Sequence, residues 1–160
     1  MTLPISDDTL ITFLVNAKRQ TYAAQGDEAT VTPLVPGSRQ LEYRDRSLFY
    51  RDIYFGEAYF VGQETVYHDS LAVWAMSYAG GFISPAVNSL EMKQVYTFLR
   101  AALRQVASQR PYRGPAIFRD DAYVYTDESQ GDIHRFSGVE AITYEDKSVY
   151  QLRYSGGLLR

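Results

Sequence analysis

Two segments of the chain have the periodicity of amphipathic helices, with apolar residues at i, i+3, i+4 and i+7. The stripe of the first segment consists of Leu10, Phe13, Leu14 and Ala17. The stripe of the second consists of Val95, Phe98, Leu99, Ala102, Leu103 and Val106. Ser6 precedes the first as an N-cap, Asn88 and Glu91 form a capping box before the second, and Pro111 ends it. The pattern predicts two helices.

Four short strand-like runs follow each helix, with tight polar turns between them. After the first helix they are 40–45, 47–55, 58–68 and 72–79. After the second helix they are 116–120, 122–128, 132–144 and 148–155. Links this short favour antiparallel meanders. Residues 23–40 are rich in Gly, Pro and Thr, and they predict a long loop or arm between the first helix and its strands.

The two halves of the chain resemble each other. Residues 43–56 align with the second half at an offset of 75, residues 62–81 align at 76, and eleven of these 34 positions are identical. The similarity predicts an internal duplication. We therefore expect an α+β fold in which a helix plus a four-stranded antiparallel meander occurs twice, packed with pseudo-twofold symmetry.

The length of 160 residues predicts a single domain over 1–160, with repeat one at 6–81 and repeat two at 88–157. A half of about seventy residues has a marginal core, so we expect the halves to pack together. The cleft between them is then the natural place for a small-molecule ligand.

Composition narrows the classes of partner. The net charge of −3 makes nucleic acid a poor partner. The sequence contains neither a basic secretory n-region nor an apolar run of the ~20 residues that span a bilayer, so we expect a bacterial-type cytoplasmic protein with no membrane partner.

The chain has no cysteine, which excludes disulfides and thiolate sites. It also lacks a phosphate-binding glycine loop, a nucleophile elbow and metal-ligand spacing, so we predict no cofactor and no metal.

The fourteen tyrosines are the unusual feature of the composition. The candidate ligand-binding residues are aromatic or charged, and they are Tyr43, Arg44, Tyr50, Asp52, Tyr54, Glu64, Trp74 and Tyr78. Tyr50, Asp52 and Tyr54 share one face of a strand, because side chains alternate. A carboxylate among aromatic rings can bind a cationic or hydrogen-bonding ligand. In the alternative interpretation, the tyrosines belong to the core and their hydroxyls reach polar partners.

Charged residues recur in both halves. Arg44 and Glu64 recur as Arg119 and Glu140. The functional hypothesis is an anion clamp or an acid–base pair, and the structural one is a repeated cross-strand ion pair. Asp52 recurs as Asp127, and a carboxylate inside a strand makes both positions functional candidates.

Two further features have open interpretations. His68 and His134 occupy unmatched positions, which is a weak signal for a metal or catalytic site, and His68 is more simply a solvated turn residue. The segment Tyr-Arg-Gly-Pro at 112–115 is either a recognition loop or a turn from helix to strand.

Several motifs together resemble a bacterial family defined only as a domain of unknown function. They are FLVNAKRQTYAAQG, LEYRDRSLFYRDIYFGEAYFVGQETVYHD, VWAMSYAGG, PYRGP and VYQLRYSGG, and the resemblance covers about residues 10 to 157. It implies a domain that occurs alone or behind a helix-turn-helix module in transcription regulators, and hence a sensing or partner-binding role. It implies no substrate or catalytic residue. The sequence contains no helix-turn-helix pattern, so DNA binding is not carried over.

Three functional hypotheses follow. The first is a small-molecule sensing or binding module that uses the cleft between the repeats. The second is an enzyme with Asp52 or Glu64 as general base in an aromatic pocket, which requires those carboxylates to line a pocket with raised pKa values. The third is a protein-interaction or dimerisation module that uses the small-residue face of 73–79, with a homodimer as one form.

Overall fold

We analysed a computed structural model that describes residues 5–24 and 30–159. Its first half contains α1 (Asp7–Gln20), β1 (Arg39–Asp45), β2 (Leu48–Gly56), β3 (Tyr59–His68) and β4 (Leu71–Phe82). Its second half contains α2 (Ser89–Leu103), β5 (Ile117–Asp120), β6 (Tyr123–Asp132), β7 (Arg135–Tyr144) and β8 (Lys147–Leu158). The two predicted helices and eight predicted strands are thus confirmed, with differences at their ends. The predicted end of the second helix at Pro111 is wrong, because α2 ends at Leu103 and does not include Val106. Part of the predicted loop at 23–40, residues 25–29, lies outside the described residues.

The predicted helix caps are confirmed. The side chain of Ser6 accepts a hydrogen bond from the backbone N–H of Thr9 at 3.2 Å. Asn88 accepts hydrogen bonds from the N–H groups of Leu90 and Glu91, and Glu91 accepts one from the N–H of Asn88, which completes a capping box. These bonds satisfy backbone donors that the first turn of a helix leaves free.

The predicted fold class of two helix-plus-meander units packed with pseudo-twofold symmetry is wrong. All eight strands belong to one antiparallel sheet in the order β1-β2-β3-β4-β8-β7-β6-β5. The last strand of each half lies at the centre, where β4 pairs with β8 from Trp74↔Leu158 to Phe82↔Tyr150. There is therefore one continuous sheet, and no cleft lies between two separate meanders.

Glycines make the central pairing possible. A Cβ on Gly80 would lie 2.4 Å from the Cα of Leu152, and one on Gly156 would lie 2.2 Å from the carbonyl oxygen of Ala75. Both positions therefore require the close backbone approach that only glycine allows. From the sequence, these glycines are interpreted as turn residues or as sites of close backbone contact, and the structure shows the close contact, between β4 and β8.

Both helices cover the same face of the sheet. Phe13 on α1 packs against Tyr43 of β1 with their ring centroids 5.6 Å apart. Phe98 on α2 packs against Tyr123 of β6 with their ring centroids 5.1 Å apart. Beneath them lies the core, whose largest fully buried side chains include Tyr50, Trp74, Tyr125 and Tyr150. Aromatic residues, like β-branched ones, are favoured in strands, and their burial here suits a sheet that is covered on one side.

The opposite face of the sheet carries smaller side chains at its centre. On β4 these are Ala75, Ser77 and Ala79, of which Ser77 is exposed. Val73, which we predicted on the same face, is a buried bulge residue, because Val66 pairs with Trp74 while Tyr67 pairs with Ala72. Within residues 5–24 and 30–159, no helix is long and apolar enough to cross a membrane.

Candidate functional site

Four carboxylates lie buried on the helix-covered face of the sheet. Asp52 of β2 is directly opposite Glu64 of β3, and Asp127 of β6 is directly opposite Glu140 of β7. Each of the four is at most 2% exposed. A buried carboxylate is costly unless it is paired or hydrogen-bonded, so the partners of each one define the chemistry of this face.

Glu64 is paired with Lys18 of α1. The Lys18 Nζ donates to Glu64 Oε2, and both side chains are fully buried. Burial lowers the pKa of Lys18, and the charge of Glu64 acts in the opposite direction. The ammonium also lies 5.5 Å from the ring centroid of Tyr22 and 5.7 Å from that of Trp74. α1 is thus tied to the sheet by a charged contact inside an aromatic shell.

Glu140 is the most fully satisfied of the four carboxylates. Arg113 donates to it through Nε at 3.0 Å and Nη2 at 2.6 Å, a bidentate pair. The hydroxyls of Tyr125 and Tyr150 donate to it as well, each at 2.8 Å. Arg113 is 4% exposed, and its guanidinium lies 5.2 Å from the ring centroid of Tyr22. The segment 112–115, for which the sequence left a recognition loop and a turn as alternatives, therefore supplies a buried counter-ion.

Asp127 is paired with Arg110. The Arg110 Nη2 donates to Asp127 Oδ2 at 3.1 Å, and the Tyr154 hydroxyl donates to Oδ1 at 2.9 Å. Burial and the facing charge of Glu140 raise the pKa of Asp127 to about 6, against the effect of these hydrogen bonds. Three of the four carboxylates thus have a basic partner.

Asp52 differs from the other three. The hydroxyl of Tyr78 donates to its Oδ1 at 2.7 Å, and the described residues place no Lys or Arg nitrogen within ion-pair distance of it. Burial, followed by the negative charge of Glu64 opposite, raises the pKa of Asp52 to about 7. Near neutral pH this side chain is therefore divided between its acid and carboxylate forms.

Asp52 also lines a cavity of about 450 Å³ between the sheet and the helices. The sheet contributes Asp52, Tyr54 and Tyr78 to its wall, while α2 contributes Tyr96 and Leu99. This volume lies in the range of small-molecule sites, which are largely apolar with a few polar groups. The cavity lies between helix and sheet, rather than between two packed repeats as the sequence predicted.

Two hydrogen bonds hold the end of α1 and the turn after it, which form part of the cavity wall, against the residues that follow α2. Arg19 donates to the carbonyl of Val106 at 2.7 Å, and Arg104 donates to the carbonyl of Ala23 at 3.2 Å. Tyr22 lies between these anchors and lines the cavity. Its hydroxyl is buried, and no group in the described part of the chain hydrogen-bonds to it.

Aromatic rings form a connected wall around Asp52. The ring centroid of Phe60 lies 6.4 Å from that of Tyr54, 6.0 Å from that of Tyr78 and 6.3 Å from that of Tyr96. Tyr96 is held in place by its hydroxyl, which donates to the carbonyl of Glu57. Burial raises the pKa of Tyr96 to about 12, so the hydroxyl stays a hydrogen-bond donor at neutral pH.

The eight predicted site residues divide into three groups. Asp52, Tyr54 and Tyr78 line the cavity. Tyr50, Glu64 and Trp74 are fully buried in the core below, where the Tyr50 hydroxyl and the Trp74 Nε1 have no hydrogen-bond partner among the described residues. The other two, Tyr43 and Arg44, lie elsewhere.

Arg44 is not part of the cavity. It is exposed, and its guanidinium lies 4.4 Å from the ring centroid of Phe49. Tyr43 is partly buried against Phe13. Because neighbouring residues on a strand point to opposite faces, Arg44 lies on the face away from the helices. The expected contact of Arg44 with Glu64 is therefore wrong, and Lys18 takes its place.

Sequence reasoning missed several residues of the site. Lys18 is not among the predicted site residues, although it follows Leu10 and Leu14 at spacings of eight and four on the buried stripe. That spacing could have identified it. Tyr22, Tyr96 and Arg100 line the cavity with no local signal that distinguishes them.

The histidines lie apart from the cavity. His134 contacts Asp7 at 2.7 Å between Nε2 and Oδ2, which connects the start of α1 to the β6–β7 turn. His68 Nδ1 lies 3.6 Å from Asp69 Oδ2 at the β3–β4 turn. Across the described ranges, no group of three or more His, Asp or Glu side chains has the geometry of a metal site.

Comparison with known proteins identifies the family of the chain. The family model described as a domain of unknown function (DUF5680) matches residues 52–159. The chain therefore belongs to this family, and the match includes the four carboxylates, α2 and Arg113. No curated protein and no solved structure matches the chain.

Proposed function

We propose that this protein is a small-molecule binding module whose ligand occupies the cavity beside Asp52. The observation that carries the proposal is the placement of Asp52: it is buried, borders a cavity of about 450 Å³ and lacks the basic partner that the other three carboxylates have. Ligand sites combine such an apolar enclosure with a few convergent polar groups.

Two further observations support a ligand at this position. Tyr22 lines the cavity, and its buried hydroxyl has no partner among the described residues, although buried hydroxyls are normally hydrogen-bonded. In addition, the resemblance seen in the sequence associates this domain with helix-turn-helix regulators, for which ligand sensing is a suitable role.

The proposal is tested by a thermal-shift screen of the apo protein against a library of small metabolites. Hits are then titrated against Leu99→Trp, which fills the cavity from α2, and against the matched control Leu90→Trp. Leu90 lies on the same helix but is 66% exposed. Loss of binding in the first variant only, with circular dichroism unchanged, is the expected result. A library without a stabilising hit, or hits that bind both variants equally, contradicts the proposal.

A second candidate function is catalysis with Asp52 as general base. The favouring observation is that Asp52 has a pKa of about 7 within the cavity and is oriented by Tyr78. An effective general base has a pKa near the working pH. Glu64 is a weaker candidate, because it is locked to Lys18.

Catalysis and binding are separated by incubating each hit with the protein and analysing it by mass spectrometry. Catalysis predicts a changed product that is lost in Asp52→Asn, while that variant still binds the hit. Recovery of every hit unchanged after long incubation excludes the general-base role for those compounds.

A further inference from the structure

We infer that the ligand of the cavity carries a positively charged nitrogen, such as an amine or amidine, which contacts Asp52. This inference rests on the proposed function and names the chemical class of its ligand. It follows from the charges of the buried face, from the free oxygen of Asp52 and from the aromatic wall around it.

The buried charges on this face do not balance. It holds four carboxylates, and the described residues provide three basic partners for them. The three pairs are Lys18–Glu64, Arg110–Asp127 and Arg113–Glu140. Asp52 is the remaining carboxylate. Buried charges in proteins are paired, because removing an unpaired ion from water is costly.

Asp52 retains the capacity to accept hydrogen bonds. A carboxylate has about four acceptor positions. The described residues give Asp52 one hydrogen bond, from the Tyr78 hydroxyl to Oδ1. Asp127 by comparison accepts from Tyr154 and from Arg110. A ligand N–H group in the cavity would give Asp52 the second, charged hydrogen bond that Arg110 gives to Asp127.

The wall around Asp52 suits a cation. The rings of Tyr22, Tyr54, Phe60, Tyr78 and Tyr96 all line the cavity. The faces of aromatic rings attract a positive charge, and the attraction is stronger where the site is shielded from water. The same device already operates next to the cavity, where Lys18 and Arg113 lie over the ring of Tyr22.

Three arginines of the cavity wall bear on the charge of the ligand. Arg113 is neutralised by Glu140, and Arg39 is neutralised by Glu57 at 2.8 Å. Arg100 of α2 also lines the cavity, and the described residues provide it with no carboxylate. A ligand with a second, anionic group could contact Arg100, while its nitrogen contacts Asp52.

The inference predicts that binding depends on pH. The groups that act on the titration of Asp52 are Glu64 and Tyr78 from the sheet, Lys18 from α1 and Arg113 from the loop after α2. A cation binds the ionised form of Asp52 and so releases its proton. With the pKa of Asp52 at about 7, the affinity for an amine should rise by about tenfold between pH 6 and pH 8.

The test uses three probes of similar size, 2-phenylethylamine, 2-phenylethanol and phenylacetate, titrated into the full chain by ligand-observed NMR at pH 6 and pH 8. L-Phenylalanine is a fourth probe, which offers both an ammonium and a carboxylate. We expect the amine or the amino acid to bind at least ten times more tightly than the alcohol, and phenylacetate to bind most weakly. Asp52→Asn should abolish this preference.

Asp127→Asn is the matched control, since Asp127 also faces a glutamate across the sheet but does not line the cavity. It should keep the preference for the amine. If the alcohol or phenylacetate binds as tightly as the amine, or if Asp52→Asn keeps the preference, the inferred charge is wrong while the binding function stands. If neither these probes nor the metabolite library binds, the proposed function fails as well.

Discussion

Asp52 and Glu64 lie directly opposite each other on neighbouring strands, and both are buried. Glu64 has the ammonium of Lys18 as its partner, whereas Asp52 has the hydroxyl of Tyr78. Two adjacent carboxylates do not ionise equally easily, because the charge of the first opposes that of the second. The result is one stable ion pair and one carboxyl group that titrates near neutral pH beside a cavity.

The stability of the protein should fall as pH rises from about 4 to about 7. The folded state holds the Asp52 proton up to a pKa of about 7, while the ordinary pKa of an aspartate in an unfolded chain is 3.8. Between these values the folded state binds more protons than the unfolded state, so the free energy of unfolding decreases with pH. Asp52→Asn removes this penalty and should stabilise the protein at pH 8 by about 1–4 kcal/mol.

Urea unfolding at pH 5 and pH 8 measures this effect, with Glu128→Gln as the control. Glu128 is exposed on β6, so its substitution should leave the pH dependence unchanged. An Asp52→Asn variant that is equally destabilised at both pH values would show that the carboxylate stabilises the fold and is not strained by its neighbour.

Loss of the Lys18 ammonium should destabilise the fold strongly. Lys18→Met leaves Glu64 buried opposite Asp52 with no cation, at an expected cost of about 3–5 kcal/mol. The double substitution Lys18→Met/Glu64→Leu removes both charges and should recover most of that loss. A double-mutant cycle by chemical denaturation gives the coupling between the two side chains.

The exposed pair Arg39–Glu57 is the control for this cycle, with side chains 58% and 66% exposed. Arg39→Met should cost less than about 1 kcal/mol, because solvent screens such a pair. Equal costs at the two pairs would mean that the burial of Lys18 and Glu64 contributes little.

Two buried tyrosines should respond differently to loss of the hydroxyl. The Tyr125 hydroxyl donates to Glu140 at 2.8 Å and accepts from the N–H of Gly114 at 3.0 Å. The Tyr50 hydroxyl is buried with no partner among the described residues. Tyr125→Phe should therefore cost about 1–3 kcal/mol, while Tyr50→Phe should be neutral or stabilising. Thermal unfolding of the two variants checks this, and a similar loss in Tyr50→Phe would indicate a bound partner at that hydroxyl.

A side chain at Gly80 should disrupt the centre of the sheet. The added Cβ would lie 2.3 Å from the carbonyl oxygen of Gln151, which belongs to the backbone of β8 and cannot move freely. Gly80→Ala should cost about 3 kcal/mol or more, measured by chemical denaturation. Ser77→Ala on the exposed face of β4 should change the stability by less than about 0.5 kcal/mol. A stable Gly80→Ala protein would mean that β4 and β8 separate more easily than their register implies.

The candidate site was only partly predictable. Asp52 was identified because a carboxylate inside a strand is unusual, and Tyr54 and Tyr78 followed from their place on apolar strands. Arg44 was chosen because it recurs as Arg119, but recurrence does not indicate which face of a strand a residue occupies. Lys18 and Arg113 are close to the sheet only because α1 and the loop after α2 fold back onto it.

The sequence by itself determined the helices, their caps and the eight strands, because hydrophobic periodicity, capping side chains and short polar turns act over a few residues. Only the tertiary structure decided that the strands form one sheet, since the pairing of β4 with β8 joins residues about 75 positions apart and depends on backbone approach at Gly80 and Gly156. It also decided which carboxylates gain a cation. Charge pairing in a buried face depends on distances across the whole fold, which a local pattern of residues does not contain.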